Sequence, residues 1–192
     1  MVRVLIVDND DSFTYNIVEL VRGIGGCRFA VVNWRRVHPR DVSRFSHMIL
    51  SPGPGRVEEY TRVVSLLDSL SLDFPVLGIC LGHQLLAWRA GATLERLVPP
   101  VHGQAHWIQP VRSHWLFDGL SSPFRAGLYH SWTVDFENIP SEVEVLAFSQ
   151  GGKVMAIRLR GTMRVGVQFH PESHLTPQGQ LLMQNFLKWS GG

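Results

Sequence analysis

Cys80 stands in the stretch VLGICLGHQLLAW, Val76 to Trp88, with Gly78 two residues before it and Gly82 two after. Here an apolar run gives way to helical spacing. A cysteine in this setting has two readings. It is either a small buried hydrophobe, as most free cysteines are, or a nucleophile held out on a sharp strand-to-helix turn. Flanking glycines permit a turn too tight for other side chains. The amide groups that open the following helix favour a thiolate and can donate to an oxyanion. Spacing alone leaves both readings open.

A nucleophile needs a base, and GVQFHPES, Gly166 to Ser173, contains one. His170 follows a strand-like run and precedes Glu172 by two, so an extended backbone would point both side chains to one side. A carboxylate beside an imidazole selects its tautomer and stabilises the imidazolium formed when a thiol gives up its proton. A surface histidine beside a glutamate at a strand end has the same spacing, so this pair is weak evidence alone. A third stretch, ILSPGPG from Ile49 to Gly55, ends a strand in a rigid turn. That turn would set the backbone N–H groups of Gly53 and Gly55, around Pro54, at the same sheet edge as Cys80. An ordinary β-turn is the alternative reading of that stretch.

The elements that must position these groups follow from periodicity. RVLIVD (Arg3 to Asp8), FAVVNW (Phe29 to Trp34), HMILS (His47 to Ser51) and PVLGI (Pro75 to Ile79) are continuous apolar runs of the kind buried on both faces of a sheet. Helical spacing lies between them, in SFTYNIVELVRGIG, RVVSLLDSL (Arg62 to Leu70) and LGHQLLAWRAG (Leu81 to Gly91). This alternation predicts an α/β fold with an open, doubly wound, mostly parallel sheet. Beyond Gly91 the pattern changes to short β-like runs, including ATLERLV and AHWIQPV, expected to extend or flank the sheet. Thr176 to Trp189 reads as a closing amphipathic helix with Thr176 as N-cap and Pro177 at its first position. One domain over residues 1–192 is expected.

Bulk composition excludes several function classes. The formal charge is +2 and the arginines are scattered, so no nucleic-acid partner is indicated. No apolar run reaches a membrane span or a signal-peptide core, and Cys27 and Cys80 form neither a disulfide framework nor a ligand pair. A cytoplasmic protein is expected. His102 and His106 are four apart, as are His170 and His174, but Pro99, Pro100, Gly103 and Pro171 argue against the helical geometry a shared metal would need, and no metal site is expected.

Together, SPGPG, GICLGHQ and GVQFHPES resemble the signature segments of the class I, triad-type glutamine amidotransferases, in order and in spacing, across essentially the whole chain. DNDDSFTYN (Asp8 to Asn16), His102-Gly103 and YHSW (Tyr129 to Trp132) narrow the resemblance to the small subunits, or component II, of anthranilate synthase and aminodeoxychorismate (para-aminobenzoate) synthase.

The resemblance implies a flavodoxin-like fold and a Cys80, His170, Glu172 triad that hydrolyses L-glutamine to glutamate and ammonia. It implies oxyanion donors near Gly53 and at Leu81. Gln84 and the backbone of Ser131 and Trp132 would hold the α-amino and α-carboxyl groups of the substrate. It further implies a heteromer with a chorismate-using synthase large subunit, no cofactor in this chain, and Mg2+ in the partner. Two positions depart from the family pattern: Gln104 where His-Gly-Lys is usual, and Trp132 where leucine is usual. Asp10 stands where an aromatic or variable residue is common. A free-standing cysteine hydrolase of γ-glutamyl substrates is the alternative, and DNDDSFTYN favours the subunit.

Overall fold

The computed structural model describes residues 1–189. In chain order the elements are β1 (Val2–Asp8), α1 (Thr14–Ile24), β2 (Cys27–Asn33), α2 (Pro39–Val42), β3 (His47–Leu50), α3 (Thr61–Ser69), β4 (Val76–Ile79) and α4 (Leu81–Arg89). There follow β5 (Leu94–Pro110), β6 (Phe124–Val134), β7 (Val143–Ser149), β8 (Val154–Leu159), β9 (Arg164–Val167) and α5 (Gly179–Lys188). All lie in or around one nine-stranded sheet, ordered β2-β1-β3-β4-β9-β8-β7-β5-β6.

The sheet has two regimes. From β2 to β9 neighbouring strands are parallel, and from β9 to β6 they are antiparallel. The parallel part is the α/β core that the alternating pattern predicts, and the antiparallel part is the β-rich half after Gly91. Parallel strands must be covered on both faces, and alternate residues of one strand divide accordingly. Val4 and Ile6 of β1 pack with Ile17 and Val21 of α1 and with Leu182 and Phe186 of α5. Leu5 and Val7 pack on the opposite face with Val63 and Leu67 of α3 and Leu85 and Leu86 of α4. Each such fully buried aliphatic side chain contributes about 1.5–3 kcal/mol.

Helix α4 is buried on nearly every side, from Leu81 through Ala87. It leaves no polar face to solvent, so its first turn cannot swing away from the strand it follows. No helix of the described residues is long and apolar enough to cross a membrane.

Two expectations are corrected. The runs ATLERLV and AHWIQPV were expected as separate short β-like runs divided by turn residues. They form one long strand, β5, whose pairing with β6 skips between Arg96 and Val101 and again between His102 and Gln104. Bulges absorb the turn residues instead of ending the strand. Thr176 is not a helix cap. Its hydroxyl donates to the His170 carbonyl (2.6 Å) and accepts from the Gly127 N–H (2.9 Å), and the helix begins three residues later, at Gly179.

Candidate active site

Parallel strands in register bring their carboxyl ends to one edge, and the candidate residues gather there. Leu50 of β3 pairs with Gly78 of β4, and Gly78 pairs with Gly166 of β9. Cys80 therefore leaves β4 between the SPGPG turn that leaves β3 and the QFHPES segment that leaves β9. The β5–β6 hairpin closes the opening: Gly127 of β6 bridges His170, whose N–H donates to the Gly127 carbonyl at 3.0 Å.

Cys80 has φ 51° and ψ −100°, a region that residues with a Cβ rarely occupy. Such a conformation costs about 1–3 kcal/mol and persists only where the surroundings over-determine it. They do so here. The Cys80 N–H donates to the Val167 carbonyl (2.8 Å), and its carbonyl accepts from the Gln84 N–H (3.0 Å). The flanking glycines are required by space. A Cβ on Gly78 would stand 2.4 Å from the Gly82 backbone, and one on Gly82 would stand 2.5 Å from the Leu50 carbonyl oxygen. The turn presses strand and helix closer together than any side chain allows. Cys80 is thus held at the helix N-terminus, 7% exposed.

His170 and Glu172 form a pair, by a route other than the expected one. The backbone is not extended between them. Pro171 and Glu172 lie in a turn, closed by the Ser173 N–H donating to the His170 carbonyl at 3.2 Å. Proline fixes φ at the first turn position and has no N–H to leave unpaired. The Glu172 carboxylate comes back against the ring it follows, with Nδ1 to Oε1 at 2.7 Å and both side chains shut off from solvent. Nε2 has no hydrogen bond of ordinary geometry among the described residues and faces the Cys80 thiol. Burial disfavours the imidazolium, but Cys80 and Glu172 outweigh it and push His170 up to about 10.

The ring itself is held by aromatic faces. Phe13 and Tyr129 have centroids 5.0 and 4.9 Å from that of His170, and the Tyr129 hydroxyl meets the Ser173 hydroxyl at 2.9 Å. Both aromatics lie in stretches that carried the family resemblance, DNDDSFTYN and YHSW, where they had no assigned role.

A cleft of about 390 Å³ opens over Cys80, lined by Gly53, Pro54, Gly55, Leu81, Gln84, Ser131 and Trp132. Every substrate-contact candidate is therefore at one site. Among the described residues no hydrogen bond occupies the N–H groups of Gly53, Gly55 or Leu81. Gly53 also has no room for a side chain, since a Cβ would stand 2.5 Å from Leu81. The Trp132 carbonyl is already engaged, accepting from Gln84 Nε2 at 2.8 Å and facing His130 Nδ1 at 2.9 Å. Gln84 Nε2 also donates to Gln168 Oε1 at 3.1 Å, while Gln168 Nε2 reaches the Cys80 sulfur at 3.5 Å. With its amide hydrogens used, Gln84 presents its carbonyl oxygen as an acceptor.

Gln168 escaped the sequence reading, although it stands two residues before His170. His83 is buried behind the turn and pushed down to about 3 by burial, a neutral structural ring. His130 lines the cleft and is likewise neutral, lowered to about 4 mainly by burial. His102, Arg56, Arg96 and Tyr129 complete the lining, and the Arg56 guanidinium stands 5.0 Å from the Trp132 ring centre. Trp88, unassigned by sequence, packs on the α3–α4 side of the core and borders an adjoining cavity of about 370 Å³.

The sequence profile of the family Glutamine amidotransferase class-I matches residues 5–189. The chain belongs to the class-I glutamine amidotransferases. Among its relatives is anthranilate synthase component 2 of Cyanidium caldarium, 38% identical, the match covering 98% of this chain and all of that one. The aminodeoxychorismate synthase of Streptomyces pristinaespiralis is 36% identical over 96% of this chain, which spans 26% of that longer protein. The solved structure of a candidate GMP synthase subunit from Thermoplasma acidophilum superposes with a TM-score of 0.87 at 24% identity, covering 97% of this chain and 92% of the other. That likeness shows the amidotransferase fold.

Proposed function

We propose that this amidotransferase is the glutaminase subunit of a chorismate-using synthase and that Cys80, His170 and Glu172 are its triad. One observation carries the assignment of residues: the strained Cys80 faces the free Nε2 of an imidazole whose other nitrogen is fixed by a buried carboxylate.

The chemistry follows from that geometry. The Cys80 sulfur attacks the side-chain amide carbon of glutamine as His170 holds the thiol proton. The N–H groups of Leu81 and Gly53 receive the oxyanion; removing one such donor costs on the order of a hundredfold or more in rate. Collapse breaks the C–N bond, and His170 Nε2 returns the proton to the departing nitrogen, which leaves as ammonia. Water, deprotonated by the same nitrogen, then cleaves the γ-glutamyl thioester to glutamate and restores the thiol. Glu172 keeps Nε2 aimed at the sulfur throughout. In this reading the Gln84 carbonyl accepts from the α-ammonium group. The cleft lining contains Arg56 and Arg96 and no Asp or Glu, which suits the α-carboxylate.

Each proton transfer is assigned to a side chain, so the reaction asks for no metal or organic cofactor from this chain, and the Mg2+ expected of chorismate chemistry belongs with the partner. The partner is inferred from relatives named as component 2 of anthranilate synthase and as aminodeoxychorismate synthase. The test is to combine the chain with a chorismate-using synthase subunit, supply glutamine and chorismate, and measure glutamate and the aromatic product. Glutamate release that Cys80→Ser abolishes is expected, with anthranilate or aminodeoxychorismate naming the pathway. No release with any such partner would overturn the reading.

A further inference from the structure

The SPGPG turn supplies N–H groups to the cleft, but backbone loops do not aim themselves. A trans peptide is planar, with its C=O and N–H pointing in opposite directions. Whatever holds the carbonyl of one residue therefore aims the N–H of the next. Two such carbonyls matter. The Pro52 carbonyl accepts from the Ser51 hydroxyl at 2.7 Å, which aims the Gly53 N–H. The Pro54 carbonyl accepts from the Tyr60 hydroxyl at 2.8 Å, which aims the Gly55 N–H. Both glycines line the cleft.

We propose that Tyr60 is a positioning residue for glutamine hydrolysis, its hydroxyl locking the Pro54–Gly55 peptide plane so that the Gly55 N–H and the turn that carries Gly53 face the Cys80 cleft. The proposal rests on the glutaminase reading above.

Its setting fits that role. Tyr60 is 3% exposed, and its hydroxyl also lies 3.2 Å from the Asn9 carbonyl, so one phenol spans the ends of β1 and of the SPGPG turn. Asn9 is tied to the same turn through its side-chain amide on the Ser51 carbonyl at 2.7 Å. The Tyr60 ring is fixed by Trp34, centroids 4.6 Å apart, and the Trp34 indole N–H donates to Asp10 at 3.0 Å. Asp10, which departs from the family pattern, sits at φ 63° and also binds Asn33 and Arg35. The brace thus runs from Asp10 through Trp34 and Tyr60 to the turn. Burial, with Asp10 and Glu59 nearby, raises Tyr60 to about 12, so the phenol remains an O–H donor across any working pH.

The deciding variant is Tyr60→Phe, which keeps the ring against Trp34 and removes only the hydroxyl. It is assayed with the synthase subunit present, and kcat is expressed per folded chain, the folded fraction being taken from circular dichroism, so unfolded protein does not count; iodoacetamide alkylation of Cys80 is followed separately from that of the other free thiol, Cys27, by peptide mass spectrometry. The expected result is a kcat for glutamate release lowered roughly tenfold, short of the loss of a whole oxyanion donor. KM should stay within about twofold, as fits an interaction felt mainly in the transition state. The alkylation rate of Cys80, which needs no oxyanion site, should be unchanged. Full kcat beside an active unchanged protein would overturn the proposal alone, as would a fall in alkylation rate matching that in kcat, which would mark a general structural role. No release by the unchanged protein would overturn the glutaminase reading and this proposal with it.

Discussion

His170 Nδ1 lies 2.7 Å from Glu172 Oε1, and the two side chains are 2% and 0% exposed. A carboxylate so placed accepts the Nδ1 proton, leaves Nε2 for the thiol and offsets the imidazolium charge. Glu172→Gln keeps the shape and removes the charge. Its kcat for glutamate release is expected to fall on the order of a hundredfold or more with KM little changed. Steady-state kinetics decide it, and a variant within a few-fold of the unchanged protein would remove Glu172 from the mechanism.

Gly82 is needed for space. Its added Cβ would meet the Leu50 carbonyl oxygen at 2.5 Å and the Leu50 side chain at 2.7 Å, neither of which can move without shifting β3. Gly82→Ala is expected to destabilise the fold by about 1–3 kcal/mol and to displace Cys80 enough to abolish turnover. Chemical denaturation together with glutamate release checks both effects. Retained stability and activity would mean that the turn can relax.

The pH dependence of stability carries two opposite signs. His83 and His130 are lowered, mainly by burial, to about 3 and about 4, so the unfolded chain takes up protons at these sites below about pH 6.5 and the folded chain does not. Their contribution is full above pH 6.5 and is lost as pH falls from there toward 4 and below. His170 runs the other way. Raised to about 10 against the lowering effect of burial, it contributes fully below about 6.5 and loses that contribution as pH rises through 10. Urea midpoints measured across this range should therefore be highest near neutrality. His130→Gln should flatten the acid limb and His170→Gln the alkaline one; limbs unchanged in these variants would refute the assignment.

What could be read in the sequence was local. Cys80 between two glycines is demanding because strand and helix must touch within four residues, and that demand is written in neighbouring positions. The buried parallel strands were legible for the same reason, since β1 needs apolar residues on both faces. The contact between Glu172 and His170 arises by another route than the one expected: alternation along a strand was expected, and a turn at Pro171 forms the pair. Gln168 was not legible in its role, because the Cys80 sulfur it reaches lies 88 residues away, and Tyr60 was not, because its hydroxyl meets the Pro54 carbonyl, six residues back, only after the chain turns, and its ring is held by Trp34 from another part of the chain. Pro99, Pro100 and Gly103 spoke against a helix, but only the pairing of β5 with β6 shows how bulges accommodate them within one strand.

The strain at Cys80 can be measured without the thiol. At ordinary positions alanine is more stable than glycine by about 0.5–1 kcal/mol, because glycine loses more backbone freedom on folding. At φ 51° and ψ −100° the order should reverse, since only a residue without a Cβ enters that region without strain. Cys80→Gly and Cys80→Ala both lack the sulfur, leave His170 without its thiol partner and release no glutamate, so their difference isolates the backbone. The glycine variant is expected to be more stable by about 1 kcal/mol, a rise of roughly 2–4 °C in Tm for a chain of this size. Calorimetry of the two variants settles the point: if alanine equals or exceeds glycine in Tm, the turn holds its nucleophile without stored strain, and the tight packing at Gly78 and Gly82 alone must present the thiol.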